Sequence, residues 1–271
     1  MKWIHLILAH SFFIALCAVA ISYQTVIIFN REVDFWCLGF TFFATLVSYN
    51  TYWLLSKQKT ISFILKNELT KNVVITLSLI GSIFCLIQST LKIEVIWPAI
   101  CLNGLYMLPL LPIKQLGFTK KIGFLKTILL AFTWAYVTVV LPLNKNFIFL
   151  ENAKLLFFLQ RFLFMFLLCI IFDSRDVMVD KIKELHSLAT DTKPIVLKLI
   201  FSVVFLVLIA TVYVMFTIGL SYAHSLTLLI AAGAAVFLYW LSFYKKSYFF
   251  YYFFVDGLML FSALLTYLAS I

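Results

Sequence analysis

Phe162-Leu163-Phe164-Met165-Phe166-Leu167-Leu168-Cys169-Ile170-Ile171-Phe172 is an unbroken apolar run, and Asp173-Ser174-Arg175-Asp176-Val177-Met178-Val179-Asp180 follows it with no Gly or Pro between. One helix carried through both halves places Asp173, Asp176 and Asp180 on one face, since offsets of three and four residues return to the same side. Arg175 is expected to point elsewhere. Three like charges on one face repel one another, and a bound cation or a cationic partner relieves that repulsion. The alternative meaning of the same residues is a solvated acidic loop. Beyond the ladder, His186 and Ser187-Leu188-Ala189-Thr190 end the polar stretch.

The solvent for the apolar half follows from composition. Of 271 residues, 64% are hydrophobic and 12% are charged. A soluble domain is about half apolar and about a quarter charged, so this chain is an integral membrane protein with lipid as its main solvent. Its net charge of +10 is read as basic loops on the cytoplasmic side, with no nucleic-acid partner implied. Cys17, Cys37, Cys85, Cys101 and Cys169 all lie inside apolar runs without C-x-x-C pairing, as small buried hydrophobes do. His5, His10, His186 and His224 form no cluster.

A helix needs about 20 apolar residues to cross a bilayer. Nine spans meet that pattern: His5–Phe29, Phe35–Leu55, Asn72–Leu91, Val95–Leu111, Ile122–Leu143, Leu155–Phe172, Ile195–Ile218, Leu226–Phe243 and Tyr248–Ala269. The first has features of a signal peptide, but the spans behind it favour a membrane anchor. With this division, 16 of the 21 basic residues fall at the N-terminus or in the loops after even-numbered spans. Positive loops stay in the cytoplasm, so the N-terminus and the acidic ladder are expected inside and the C-terminus outside. No soluble domain interrupts the chain, which reads as one transmembrane domain over residues 1–271.

With nine spans and an acidic ladder at the inner end of the sixth, the chain resembles the UbiA superfamily of intramembrane prenyltransferases. The resemblance rests on Asp173-x-Arg175-Asp176-x-x-x-Asp180 followed by Ser187-Leu188-Ala189-Thr190. It extends to the lead-in Arg161-Phe162-Leu163, to Leu105-Tyr106-Met107-Leu108-Pro109 and to Trp134-Ala135-Tyr136-Val137-Thr138. It implies an all-α bundle of about nine transmembrane helices around a central cavity. It also implies transfer of a prenyl group from an isoprenyl diphosphate to a small, aromatic acceptor. Asp173, Asp176 and Asp180 would hold Mg²⁺ and serve catalysis, and Arg175 would orient the site or contact phosphate.

The family's first motif, Asn-Asp-x-x-Asp-x-x-x-Asp, is altered here. Asn50 remains, but its acidic positions fall on Thr51, Leu54 and Gln58. Mg²⁺ needs oxygen ligands, preferably carboxylates, so the resemblance implies one Mg²⁺ site and loss of the other. Tyr106 is present, while the nearest basic residue after it is Lys114. Lys57 shares a helical face with Asn50 and offers a positive charge to a phosphate, or else snorkels to the membrane boundary. Arg161 lies inside the sixth span, where a charge faces a partner or a wet cavity. Asp256 in the ninth span is its possible partner. Substrate contacts are thus expected from Asn50, Lys57, Tyr106, Lys114, Arg161 and Arg175. Loss of the first-motif acids keeps open a diverged relative that binds an isoprenoid lipid or a partner without transfer. A small-molecule transporter is the third reading, although few Gly or Pro breaks interrupt the spans.

Overall fold

The computed structural model of the chain describes residues 10–57, 69–110, 123–144, 151–182, 186–245 and 247–271. Among these the secondary structure is all helical. In chain order the helices are α1 (Phe12–Ile28), α2 (Phe35–Lys57), α3 (Leu69–Gln88), α4 (Ile93–Met107), α5 (Gly123–Ala135), α6 (Asn152–Ile182), α7 (Pro194–Thr217), α8 (Tyr222–Ser242) and α9 (Asp256–Leu268). Two π-helical segments extend this set. Tyr136–Val140 carries α5 on to Leu141–Leu143, and Phe250–Val255 leads into α9. A single turn, Leu188–Asp191, sits between α6 and α7. Its Ser187 and Thr190 cap it reciprocally, which satisfies two of the N–H groups that a helix start leaves unpaired.

Among the described residues seven helices, against the nine expected, are long and apolar enough to cross a membrane: Thr70–Gln88, Ile93–Leu110, Leu125–Leu143, Asn152–Val177, Pro194–Thr217, Tyr222–Ser242 and Phe250–Leu268. The chain is therefore a multi-pass, all-α membrane protein. The difference falls on α1 and α2. In α1 the helix is apolar but 17 residues long. In α2 there are 23 residues, but Thr41, Thr45, Ser48, Asn50 and Thr51 dilute its apolar character. Thr41, Thr45 and Asn50 are buried. Thr41 and Thr45 return their hydroxyls to the carbonyls four residues earlier, so α2 faces its polar groups inward.

The sixth helix is the hub, with 72% of its apolar window buried against 17% for α3 and 11% for α4. It packs on α5, α7 and α8, while α1 joins α2 to α9 and α2 packs along α3. Close approach of α2 and α3 depends on glycine. A Cβ on Gly39 would meet Cys85 Sγ at 2.9 Å, and one on Gly81 would meet the Phe43 ring at 2.9 Å. Small residues at such crossings let backbones approach where lipid supplies no hydrophobic drive. Outward faces carry Leu77, Ile80 and Ile87 on α3 and Ile195, Leu199 and Leu206 on α7, as a lipid-facing surface requires.

One end of the bundle is fastened by two polar side chains. Asp34 Oδ1 accepts from the Trp36 and Cys37 amides at the start of α2, and its Oδ2 accepts from the Thr90 amide and hydroxyl. Asn144, held at φ 47°, donates to the Thr90 carbonyl at 2.7 Å and accepts from the Lys92 amide at 3.3 Å. Partial burial works against the Asp34 carboxylate, but the N–H donors of Cys37, Thr90 and Trp36 outweigh it and hold its pKa below the usual value.

Candidate functional site

Behind the acidic end of α6 lies a cavity of about 300 Å³, walled by α2, α4, α5, α6 and α9. Along α6 it runs from Met165 to Asp176, roughly 16 Å at about 1.5 Å rise per residue. Its two ends differ in chemistry. Phe40, Ala44, Ile100, Val137, Leu141 and Met165 line the apolar end, whereas Lys126, Asp173, Arg175 and Asp176 gather at the polar end.

Helix α6 continues unbroken through Ile182, so its backbone keeps the three ladder positions within one face. Asp173 and Asp176 both line the cavity. The side chain of Asp180 lies outside the described residues. Thr127 on α5 donates its hydroxyl to Asp173 Oδ2 at 2.6 Å, tying the first acid to the neighbouring wall.

Arg175 corrects the expectation that it points away from the acids. Its Nε donates to Asp176 Oδ1 at 2.6 Å and its NH2 to Oδ2 at 2.7 Å. The same NH2 donates to the Tyr252 hydroxyl at 3.2 Å. The guanidinium carbon lies 4.8 Å from the Tyr252 ring centre, 4.9 Å from Tyr251 and 5.2 Å from Phe172. Adjacent residues on a helix differ by only about 100° around the axis. A long arginine stem can cross that angle, and an aromatic shelf with a carboxylate fork rewards it for doing so.

Other expected contacts divide between the cavity and the surrounding packing. Tyr106 lines the cavity and stacks on Tyr52 at 5.3 Å with 17° between planes. Nearby, Asn103 donates to Ser48 at 2.9 Å, so α2 and α4 meet through side chains along this wall. Asn50 is fully buried off the cavity and donates to the carbonyls of His10 and Leu46. Lys57 has its backbone in α2, but its side chain lies outside the described residues. Lys114 lies outside them altogether.

Arg161 is buried away from the cavity and does not pair with Asp256. It donates to the Ile21 carbonyl and to Gln24 Oε1, both at 2.9 Å. Gln24 passes the connection on, donating to the Ser262 carbonyl, the Ser262 hydroxyl and the Thr266 hydroxyl. The network joins α6 to α1 and α9, which makes Arg161 a structural cation. A charge inside a membrane needs such partners. The π-helical segment of α5 has a similar solution: the Thr138 carbonyl accepts from the Thr25 hydroxyl at 2.6 Å.

Several cavity residues carried no separate signal in the sequence. Lys126 reads as one more boundary lysine until α5 turns it inward. Tyr49, Trp53 and Tyr252 are three among many aromatics. Asp256 also lines the cavity. Its intramembrane charge marked it in the sequence, but its surroundings could not be read there.

Mg²⁺ is commonly held by one or two carboxylates, with water and substrate phosphate completing its octahedron. Asp173 and Asp176 supply such a pair beside a cavity. Among the described residues, no group of three or more His, Cys, Asp and Glu converges as a metal site. To ligate a cation, Asp176 would have to release Arg175. No family model, curated protein or solved structure matches the chain.

Proposed function

We propose that this protein is a nine-span, UbiA-like intramembrane prenyltransferase that moves a prenyl group from an isoprenyl diphosphate to a small aromatic acceptor. The observation that carries the reading is the two-ended cavity. Anion-binding and carboxylate groups occupy one end, and an apolar chamber lies directly behind them. A prenyl diphosphate has the same division, with a charged head joined to a hydrocarbon tail. The asymmetry of basic residues favours placing the head-binding end and the N-terminus in the cytoplasm and the C-terminus outside.

In this reading Asp173 and Asp176, with Asp180 as the expected third acid, hold Mg²⁺. Bound there, Mg²⁺ would neutralise diphosphate charge and assist its departure. Lys126 and Arg175 bind the phosphate oxygens from the cavity wall. Arg175 presents a planar fork suited to phosphate, while a lysine acts as a point charge. The apolar chamber orients the hydrocarbon and excludes water from the reacting carbon.

Helix α2 supports one competing reading, a relative that holds an isoprenoid without transferring it. The resembled family's acidic positions fall on Thr51, Leu54 and Gln58, and this helix turns Ser48, Tyr49, Tyr52 and Trp53 toward the cavity. Purified protein given a prenyl diphosphate, Mg²⁺ and a phenolic acceptor separates the two. Release of diphosphate that requires Mg²⁺ and disappears in Asp173→Asn supports transfer. Binding of the diphosphate without release in any acceptor mixture refutes it.

A further inference from the structure

Asp256 presents a problem that neither the acidic ladder nor the buried arginine solves. Its residue is 6% exposed, and it lies within a membrane-spanning segment. No hydrogen bond or ion pair joins its carboxyl group to another described residue. Arg175 is the cation whose field reaches it, but the guanidinium is committed to Asp176 and Tyr252. Its carboxyl oxygens open onto the cavity that the residue lines, and a carboxyl group within a membrane span that has no protein donor is completed by what occupies that cavity.

Two hollows meet at this residue. On one side is the main cavity. On the other is a space of about 10 Å³, lined by Ser11, Phe13, Ile14, Tyr49, Trp53, Tyr252 and Asp256. The smaller one is no larger than a single water molecule requires, so a larger ligand group must come from the main cavity. Tyr49, Trp53 and Tyr252 line both spaces with Asp256. The Trp53 and Tyr252 rings lie 6.1 Å apart and tilted by 47°. Tyr49 meets Trp134 edge-on at 6.1 Å. Aromatic walls of this kind favour a flat ring in offset or edge contact. Asp256 is the first residue of the α-helical part after a π-helical segment, and such segments often occur where a helix serves a site.

We propose that Asp256 anchors a subsite for a phenol, accepting a hydrogen bond from its hydroxyl while Tyr49, Trp53 and Tyr252 surround the ring. The subsite deepens the transfer reading, on which it rests only in calling the phenol an acceptor. It places the acceptor on the α9 side, with the diphosphate against α6 and α5. Specificity then follows from a donor matched to a buried acceptor, since a ligand without the hydroxyl leaves Asp256 unsatisfied.

The test is binding of 4-fluorophenol and 4-fluoroanisole to the protein in lipid nanodiscs, followed by fluorine NMR with empty discs subtracted. Wild-type protein is expected to prefer the phenol by roughly five- to tenfold, the effect of one hydrogen bond. Asp256→Leu should abolish the preference and retain anisole binding. Asp256→Asn, which preserves volume, should lower the preference at least about threefold. Thr133→Ala, on the α5 wall of the cavity, should leave it intact. Equal binding of the two probes to wild type, or an undiminished preference in Asp256→Asn, overturns the proposal. So does tighter binding of 4-fluorobenzylammonium than of the phenol, which would assign the site to an organic cation. Diphosphate binding in the same discs tests the transfer reading separately. Its failure beside an Asp256-dependent phenol preference leaves the subsite standing.

Discussion

Arg175 cannot grip Asp176 with both its forks and bind phosphate with the same donors, and the conflict gives a prediction with opposite signs. In Asp176→Asn the guanidinium loses its charged partner and becomes available to an anion. The pair is only partly buried, at 18% exposure for the arginine and 36% for the aspartate side chain. Its strength therefore lies between an exposed pair, about 0.2–1 kcal/mol, and a buried one broken on one side, about 3–5 kcal/mol. A value near 1.4 kcal/mol corresponds to about tenfold in affinity. Pyrophosphate titrated calorimetrically without Mg²⁺ should bind Asp176→Asn about tenfold more tightly than wild type. With Mg²⁺ present, the order should reverse, because a ladder carboxylate has been lost. Arg175→Lys keeps the charge but loses the fork and much of the stacking over Tyr251, Tyr252 and Phe172, so it should weaken binding under both conditions. Metal-free affinity that is unchanged or lower in Asp176→Asn would refute the idea that the acid holds the arginine in reserve.

Arg161→Leu should lower stability by about 3 kcal/mol by stranding Gln24 Oε1 and the Ile21 carbonyl, measured by denaturant titration in detergent. Its folded fraction should bind pyrophosphate as wild type does, since Arg161 lies off the cavity. Asp34→Asn should lower stability by about 1 kcal/mol through a weaker cap and Thr90 clasp. Because folding holds the Asp34 pKa below the usual carboxylate value, its contribution is present above the unfolded value and fades as pH falls through the folded one. The thermal midpoint of wild type should therefore drop more steeply on acidification than that of Asp34→Asn. Gly81→Ala should cost about 1–3 kcal/mol by driving a Cβ into Phe43, read from the same thermal scan.

What the sequence conveyed best was α6. An apolar run long enough to span, followed without a break by acids at helical spacing, is a local pattern, and local patterns survive folding. The same holds for the broad class and for most of the spans. The count of spans differs at α1, which is short, and at α2, whose buried Thr41, Thr45 and Asn50 lower its mean hydropathy although they face inward and not toward lipid. Cys101 shows a related limit: it is exposed on α4, while the other four cysteines are buried. Arg161 was legible as an intramembrane charge but not as part of a network, since its Gln24 partner is 137 residues away. For Arg175, direction was misread because helical position fixes where Cβ starts, not where a long side chain ends.

Asn50 bears on how far the resemblance should be carried. It survives from the expected first motif, yet it faces the start of α1 and fastens α2 there through the His10 carbonyl. The cavity side of α2 instead carries hydroxyls and rings from Thr41 to Trp53, with Phe40 and Ala44 at its apolar end. No carboxylate lies among these residues, so this wall brings no negative charge to the cavity. Under the proposed transfer, the diphosphate leans on α6 and α5, where Asp173, Asp176, Arg175 and Lys126 lie, and the acceptor ring on α2 and α9. An acid placed on the cavity face of α2, as in Ser48→Asp, tests this division. It should weaken metal-free pyrophosphate binding by about threefold or more through like-charge repulsion across the cavity. If the binding is unaffected, the phosphate does not sit within reach of that wall's field.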